Sequence, residues 1–243
     1  MLIKLDMENA FDRVRLSFLY KVLRSFGFSS TIVNLIKAST DKPWISPLIN
    51  GRSKNFFQAT RGLHQPCLLS SFLYILMAKY LSRNLSTEKE ARIILGIKFA
   101  RGVDSINHAL FADDYLLLGG ASLKIERDFK GILQNFCIVS GALINNRKSV
   151  VYGWNADHST ILNIANLLEF YGYDIWKKIK YLSLSLTLRQ NKPSLWVEVI
   201  SKIQAKNASW GGQWLMKAGK LIMIKLILSA LPIYQSSLLL TPK

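Results

Sequence analysis

The stretch LFADDYLLLGG, residues 110–120, places two adjacent carboxylates, Asp113 and Asp114, among apolar and aromatic residues. The apolar runs on either side, residues 109–112 and 115–118, predict two short buried strands joined as a hairpin with the Asp pair at its tip. Such a tip is a poor turn, because a two-residue loop favours Asn-Gly or Asp-Gly and adjacent like charges repel. The sequence therefore predicts that a bound cation neutralises the pair.

A third carboxylate follows another strand pattern at the start of the chain. The run LIKL, residues 2–5, predicts a buried strand that ends at Asp6. A sheet that set this strand beside the hairpin would gather three carboxylates at one edge. Nucleotidyl transfer uses two Mg²⁺ ions about 3.5–4 Å apart, and Mg²⁺ needs only one or two carboxylates plus substrate phosphates. Because neighbouring strand side chains point to opposite faces, Asp113 and Asp114 cannot both be equal ligands unless the turn twists them, and we expect Asp113 to be the main ligand.

The composition predicts a folded domain with a polyanionic partner. The 243 residues include 32 Lys and Arg against 15 Asp and Glu, a formal net charge of +17, and half of the residues are hydrophobic. This content argues against disorder, and the charge favours nucleic acid as the partner. A basic protein at a membrane surface is the alternative, although no apolar run approaches the roughly 20 residues of a spanning helix.

The first residues and the cysteine content bear on location. The opening MLIKLDMENAFD lacks the apolar region and cleavage site of a signal peptide. The two Cys and three His residues are too far apart in sequence for a zinc-binding spacing. We therefore predict an intracellular protein, nuclear or cytoplasmic, that is not secreted and has no membrane partner.

The remaining patterns predict an α+β protein rather than a regular alternation of parallel strands and helices. The dipeptide Asn50-Gly51 is the strongest short hairpin signal. Gly27 and Gly141 are placed to end helices. The spacing of apolar residues predicts helices over residues 18–26, 31–38, 68–85, 123–139 and 159–170, and short strands over residues 97–100 and 150–153.

The end of the chain predicts a basic helical module. An apolar stripe of Trp196, Val199, Ile200 and Ile203 indicates one helix, and residues 216–231 indicate a second that Pro232 stops. A single acid, Glu198, accompanies eight bases: Arg189, Lys192, Lys202, Lys206, Lys217, Lys220, Lys225 and Lys243. We predict two domains, residues 1–180 and 181–243.

Four motifs occur in the order of the palm motifs of reverse transcriptases. They are KLDMENAFDRV at 4–14, RGLHQ with LSSFLY within 61–74, FADD at 111–114 and SGALINNRKS at 140–149. The sequence most closely resembles plant non-LTR (LINE-type) retrotransposons, and the resemblance covers essentially the whole chain. Any one motif is weak evidence, but four in order are specific.

This resemblance implies a polymerase palm, a small antiparallel sheet of the ferredoxin or RRM type backed by helices, followed by a helical thumb-like module. It implies RNA-directed DNA synthesis by a two-metal mechanism, with an RNA template, a DNA primer and dNTPs as partners. The cofactor would be Mg²⁺, with Mn²⁺ as a substitute. Asp6 and Asp113 would be the metal ligands, and Asp114 the third acid of the catalytic signature.

The resemblance also assigns roles around the acids. Phe11 would be the steric gate that rejects a ribonucleotide 2′-hydroxyl, and Gln65 would contact the incoming nucleotide and template. Lys148 would be the general acid that protonates the leaving pyrophosphate, while Asn145 braces its loop. The phosphate contacts of the thumb would come from Lys202, Lys206, Lys217 and Lys220.

The sequence also departs from the family pattern. It begins at the first palm strand, so we expect the fingers subdomain to be missing. After Gln65 the family usually has Gly-Asp-Pro, whereas this chain has Pro66, Cys67 and Leu68, and YLSLSL has Ser183 and Ser185 where Gly and Pro are usual. A proline removes a backbone donor and fixes φ. We therefore expect an impaired or inactive enzyme, and the alternatives are a non-catalytic basic nucleic-acid-binding module or a translated relic.

Overall fold

A computed structural model describes residues 1–65, 67–154, 156–173, 179–182, 184–186, 196–209, 216–230 and 233–237. The chain divides into two compact units, Met1–Ile175 and Trp176–Lys243. The first unit contains strands β1 (Leu2–Asp6), β2 (Trp44–Ile45), β3 (Leu48–Ile49), β4 (Arg52–Ser53), β5 (Phe57–Gln58), β6 (His108–Phe111), β7 (Asp114–Leu118), β8 (Val150–Tyr152) and β9 (Tyr171–Tyr173). Its helices are α1 (Leu16–Ser25), α2 (Ser30–Thr40), α3 (Leu68–Glu90), α4 (Leu123–Ser140) and α5 (His158–Leu168).

A five-stranded sheet in the order β6-β7-β1-β8-β9 forms the centre of the first unit. Strand β1 is antiparallel to both of its neighbours, β7 and β8, while β8 and β9 are parallel. The sheet is therefore mainly antiparallel, with one parallel pair at an edge. The acid at the end of β1, Asp6, is paired with Asp114 of β7, while the pairing of β1 with β8 ends at Lys4.

The two faces of β1 differ as its sequence alternation requires. Ile3 and Leu5 are fully buried, whereas Lys4 and Asp6 on the other face are half-buried. The buried face joins an apolar cluster that includes Tyr115 and residues of α1, α3, α4 and α5. Packing against helices thus covers one face of the sheet, and the other face carries the charged side chains.

Local end signals determine two of the helices as predicted. Gly27 has φ +86° just after α1, and Gly141 has φ +81° at the end of α4, a left-handed backbone that glycine adopts without strain. The Ser122 hydroxyl accepts a hydrogen bond from the Ile125 N–H at the start of α4. The predicted Asn50-Gly51 hairpin is also confirmed: both residues have positive φ and they join β3 to β4.

Two other predictions are wrong in detail. Residues 97–100 were expected to form a strand, but this segment contributes only an isolated bridge between Ile97 and Ile106. The tip of the acidic hairpin is also displaced by one residue. Because Phe111 pairs with Asp114, the two-residue turn consists of Ala112 and Asp113, and Asp114 is the first residue of β7.

The second unit contains an antiparallel pair, β10 (Ile179–Tyr181) and β11 (Leu184–Leu186), and the helices α6 (Val197–Ser209), α7 (Lys217–Met223) and α8 (Ile233–Ser236). The predicted stripe on α6 is only partly covered, since Val199 is 4% exposed and Ile200 51% exposed. The helix predicted over residues 216–231 is α-helical in α7 and continues as a π-helix over Ile224–Leu228. In the described part of the chain, no helix is both long and apolar enough to span a membrane.

Candidate active site

A polar cleft of about 550 Å³ lies at the end of β1. It is formed by four segments that are far apart in sequence: the end of β1 with the chain that follows it, the segment before α3, the turn between β6 and β7, and the loop that precedes β8. The residues that line it are Asp6, Met7, Glu8, Asn9, Ala10, Phe11, Gln65, Asp113, Asn145 and Lys148. They include most of the residues to which the motifs gave a role.

The β6–β7 turn holds Asp113 next to the end of β1. The Met7 N–H donates a hydrogen bond of 3.0 Å to the Asp113 carbonyl, which fixes the turn against the chain that leaves β1. Ala112, the first residue of the turn, has φ +48°, a left-handed conformation that is uncommon for a residue with a Cβ. Backbone strain of this kind is often found at functional sites. Asp6 and Asp113 thus line the same cleft.

Asp114 has different surroundings, although it lies directly opposite Asp6 in the β1–β7 register. Its carboxylate Oδ1 is 3.6 Å from the Lys4 Nζ, and both side chains are about one quarter exposed. Lys4 is two residues before Asp6 in β1 and therefore lies on the same face of the sheet. The third acid of the signature thus has a cationic partner on the central strand.

The environment of Asp6 disfavours its negative charge. Burial raises the pKa of the Asp6 carboxyl, and the charges of Asp113 and Asp114 raise it further, while Lys148 and Lys4 act in the opposite direction. The Lys148 Nζ is 3.8 Å from the Asp6 Oδ1. The two lysines therefore do not fully offset the effects of burial and of the neighbouring acids on Asp6.

The loop before β8 fixes the end of β1 through its backbone. The Asn145 N–H donates a 2.8 Å hydrogen bond to the Asp6 carbonyl, and the Asn145 Oδ1 accepts one of 3.3 Å from the Lys148 N–H. The fully buried Ser149 hydroxyl accepts a 3.2 Å hydrogen bond from the Asp6 N–H. These contacts are those that a bracing role for Asn145 requires. Nothing in the sequence distinguished Ser149, since its partner is 143 residues away.

A short backbone pairing joins the two segments that carry Phe11 and Gln65, which both line the cleft. The Leu63 N–H donates a 2.9 Å hydrogen bond to the Phe11 carbonyl, so the segment that carries Gln65 runs beside the Phe11 backbone. Gly62 makes this approach possible, because a Cβ at that position would lie 2.7 Å from the Asp12 carbonyl oxygen. The Phe11 ring stacks on Tyr74, a residue that the motif analysis did not single out, with ring centroids 4.8 Å apart.

The residues present fit a magnesium ion that is completed by substrate. Among the described residues, no three Cys, His, Asp or Glu side chains are grouped closely enough to hold a metal by themselves. Mg²⁺ is commonly held by one or two carboxylates together with substrate phosphates. Asp6 and Asp113 supply that number of carboxylates in one cleft.

The four predicted phosphate-binding lysines lie outside this cleft, in the second unit. Lys202 and Lys206 are exposed on α6, and Lys217 and Lys220 are exposed on α7. The position of Pro66, the departure from the family motif, lies outside the described residues. The same holds for Ser183, while Ser185 is described only as part of the β11 backbone.

Two solved telomerase structures are similar in fold to this chain. An apo telomerase from Candida tropicalis, truncated from its C-terminal domain, matches with a TM-score of 0.52 and 16% identity over 76% of this chain and 33% of that chain. A Candida albicans telomerase in complex with a TWJ fragment of telomeric RNA matches with a TM-score of 0.52 and 13% identity over 84% of this chain and 34% of that chain. The predicted α+β palm fold is thereby confirmed.

Sequence comparison gives the family. The chain is 37% identical over 67 residues to an uncharacterized mitochondrial protein of Arabidopsis thaliana, a match that covers 28% of this chain and 55% of that protein. It thus spans about half of this relative and about one third of the telomerase chains. A family model for reverse transcriptase (RNA-dependent DNA polymerase) matches residues 1–186. With the geometry of the cleft, this match over most of the chain confirms the resemblance of the motifs: the chain belongs to the reverse transcriptase family.

Proposed function

We propose that the first unit is the catalytic palm of a retrotransposon reverse transcriptase of the LINE type, which adds deoxynucleotides to a DNA primer on an RNA template. The observation that carries this proposal is that Asp6 and Asp113 line one cleft, where burial and neighbouring acids oppose the charge of Asp6. The plant affinity of the motifs and the match to an Arabidopsis protein support the proposed origin.

In this proposal Asp6 and Asp113, together with the nucleotide phosphates, would hold two Mg²⁺ ions, which would supply Lewis-acid activation of the primer 3′-hydroxyl and stabilise the charge of the leaving pyrophosphate. Phe11 packs against the sugar and excludes a 2′-hydroxyl, and Gln65 contacts the nucleotide from the other side of the cleft. Lys148, whose side chain is 67% exposed, donates a proton from its Nζ to the leaving group.

The second unit supplies the charge that holds the template and primer. Residues 176–243 contain eleven Lys and Arg residues and a single acid, Glu198. Phosphate contacts from Lys202, Lys206, Lys217 and Lys220 would bind the duplex backbone without reading its sequence. This same charge favours the second candidate function, a nucleic-acid-binding module without catalysis.

We further propose that the chain alone polymerises slowly. Pro66 stands where the family has a glycine next to the nucleotide, and a proline has no N–H to donate there. The loss of one preorganised hydrogen-bond donor at a reacting centre costs about 10²–10³ in rate in other enzymes. Pro66→Gly should therefore increase the rate of primer extension, and robust extension by the unaltered chain would contradict this part of the proposal.

The decisive experiment combines metal binding with primer extension. Mn²⁺ binding is measured by calorimetry in the presence of an RNA–DNA primer–template, for the natural chain and for Asp113→Asn and Asp114→Asn. We expect Asp113→Asn to weaken binding at least about tenfold and to abolish extension, since it removes a ligand. Asp114→Asn, the matched control, should retain most of the affinity because Asp114 pairs with Lys4.

The outcomes separate the two candidate functions. Equal Mn²⁺ affinity and equal extension in the natural chain and Asp113→Asn would refute the catalytic assignment. Tight, salt-dependent binding of the primer–template, without metal binding or extension in either protein, would favour the non-catalytic module.

A further inference from the structure

Three aromatic residues connect the cleft to the core. Phe11 is half-buried and lines the cleft that contains Asp6 and Asp113. Its ring is stacked on Tyr74 with an interplanar angle of 26°. Tyr74 lies in α3, is 2% exposed and does not line the cleft, so it packs on Phe11 from the protein interior.

Tyr74 is in turn held by the strand that follows the acidic turn. Its hydroxyl is 3.0 Å from that of Tyr115, which is fully buried in β7 and follows Asp114 directly. Burial raises the pKa of Tyr74 to about 12 and that of Tyr115 well above its usual value, so both phenols stay protonated and one donates to the other. A hydroxyl left without its partner in an apolar core is costly, so this bond keeps the Tyr74 ring in place.

The consequence concerns how firmly the wall of the cleft is fixed. A steric gate discriminates only if it cannot retreat, because a shift of about 1 Å at a reactive site has large effects on positioning. The Phe11 ring cannot move back into the protein while the Tyr74 ring is stacked against it, because protein interiors are close-packed.

We infer that Tyr74 is a positioning residue for nucleotide selection, which holds the Phe11 ring at the distance that admits a deoxyribose and excludes a ribose. This inference rests on the proposed function, because it takes Phe11 as the gate. It adds that the selectivity depends on a buried residue that does not touch the nucleotide. The acidic turn and the gate also share one support, since Tyr115 follows the turn and holds Tyr74.

The test compares dATP with ATP on the full chain. A primer lacking its 3′-hydroxyl is annealed to an RNA template with uracil as the next base, so that nucleotide binding is measured without turnover. The affinity for each nucleotide is obtained from its ability to stabilise the protein–duplex complex against a heparin challenge. The ratio of the two affinities measures selectivity independently of overall stability.

Four variants make the comparison specific. Tyr74→Leu removes the stacked ring and should lower the dATP:ATP preference at least about tenfold, mainly by tighter ATP binding. Tyr74→Phe keeps the ring and should retain the preference within about threefold. Phe11→Val tests the gate itself, and Phe129→Leu, a substitution at another fully buried position of the first unit, controls for loss of core packing.

Each outcome decides. A lowered preference in Phe11→Val and Tyr74→Leu, with Tyr74→Phe and Phe129→Leu near the natural value, supports the inference. A lowered preference in Phe11→Val alone would overturn it and leave the gate standing. An equal fall in Tyr74→Leu and Phe129→Leu would overturn it as a general packing effect. Failure of the natural chain to bind either nucleotide would refute the proposed function and the inference together.

Discussion

The two units of the molecule use charge in opposite ways. In Met1–Ile175, 14 acids accompany 21 bases. Two acids at the end of the central strands have specific cationic partners: Asp114 is paired with Lys4 and Asp6 with Lys148. In residues 176–243, eleven bases accompany one acid, and the described lysines of α6 and α7 are exposed. We therefore expect the function of the first unit to depend on the position of each charge, whereas nucleic-acid binding by the second unit should depend on the number of its charges.

Burial follows the same division. The first unit has a continuous apolar core beneath its sheet. Among the described residues of the second unit, the buried hydrophobic side chains are Ile179 and Val199, while Met216 and Leu226 are 85% and 70% exposed. Close packing makes a structure sensitive to small changes of shape. We therefore expect the effect of a substitution in the first unit to depend on the space around the substituted residue.

The largest expected effect is a difference in stability between alanine substitutions at two glycines that lie just after helix ends. Gly27 and Gly141 have nearly equal φ angles, +86° and +81°, but a Cβ at Gly27 meets nothing within 4 Å while one at Gly141 lies 2.6 Å from the Arg13 carbonyl oxygen. Gly27→Ala should cost about 1–2 kcal/mol for the left-handed backbone alone. Gly141→Ala should cost about 1–3 kcal/mol more, because the Arg13 backbone must move.

Urea denaturation of the two variants measures this difference. Gly141 also follows the end of α4, and the next residues form the loop that braces Asp6, so metal affinity should fall in Gly141→Ala and not in Gly27→Ala. Equal losses of stability in the two variants would show that the first unit adapts to shape more easily than its packing suggests.

The next effect concerns the second unit. Replacement of Lys202, Lys206, Lys217 and Lys220 by Gln should lower duplex affinity about 10–100-fold at 0.1 M salt. Neutralising four phosphate contacts should reduce the slope of log affinity against log salt by up to about 3.6. Because contacts with phosphates depend on positive charge and carry no base recognition, Arg at the same four positions should restore most of the affinity.

The control variant removes the same charge from the first unit. Lys21, Lys37, Lys98 and Lys124 are all exposed there, and their replacement by Gln lowers the net charge equally. We expect a clearly smaller change of slope. Identical slopes for the two quadruple variants would mean that the duplex responds to the net charge of the chain and that the second unit has no particular role.

The same contrast explains what the sequence could predict. The Asn50-Gly51 hairpin and the ends of α4 depend on a few neighbouring residues, and these local signals were sufficient. The acidic turn was displaced by one residue because its register is set by pairing with β1, where Asp6 lies opposite Asp114. That pairing joins residues more than one hundred positions apart, and no local signal determines it.

The candidate site shows the same limit. The motifs brought together Asp6, Asp113 and Gln65, which line one cleft, because motif order carries information about a shared ancestor. Tyr74 and Ser149 were missed because the partner of each residue is far away in sequence, although it is close in space. A buried tyrosine or serine looks in sequence like any other core residue, so only the contacts could distinguish them.

A third prediction concerns His108, a titratable residue in the first strand of the acidic hairpin, and its hydrogen-bond partners. The Asn107 Nδ2 donates to the Leu85 carbonyl at 2.6 Å, so its Oδ1 accepts from the His108 Nδ1. The His108 Nε2 and the Ser82 hydroxyl are 2.8 Å apart in a hydrogen bond that either group can donate. Burial, with the charges of Lys79 and Lys89, lowers the pKa of His108.

The sign of the pH effect follows from that direction. The unfolded chain binds a proton at His108 more readily than the folded chain, so the stabilisation is complete above the ordinary histidine pKa and is lost as pH falls through it. Between pH 7 and pH 5 the midpoint of thermal unfolding should fall on the order of 2–4 °C more in the natural chain than in His108→Gln. Parallel pH profiles for the two proteins would exclude this contribution.

The smallest effect comes from Asp6 and has the opposite sign. Its pKa is raised, chiefly by burial, so the folded state disfavours the ionised carboxylate and this cost is relieved as pH falls. Without metal, Asp6→Asn should raise the unfolding midpoint at pH 7 by about 1–2 °C, despite loss of the contact with Lys148, and the gain should vanish near pH 4. With Mn²⁺ and duplex the order should reverse, because ligand binding stabilises only the protein that retains the carboxylate. This behaviour is expected of a residue selected for its position in a cleft and not for stability. If Asp6→Asn lowered the unfolding midpoint at pH 7 without metal, Asp6 would instead be a structural partner of Lys148.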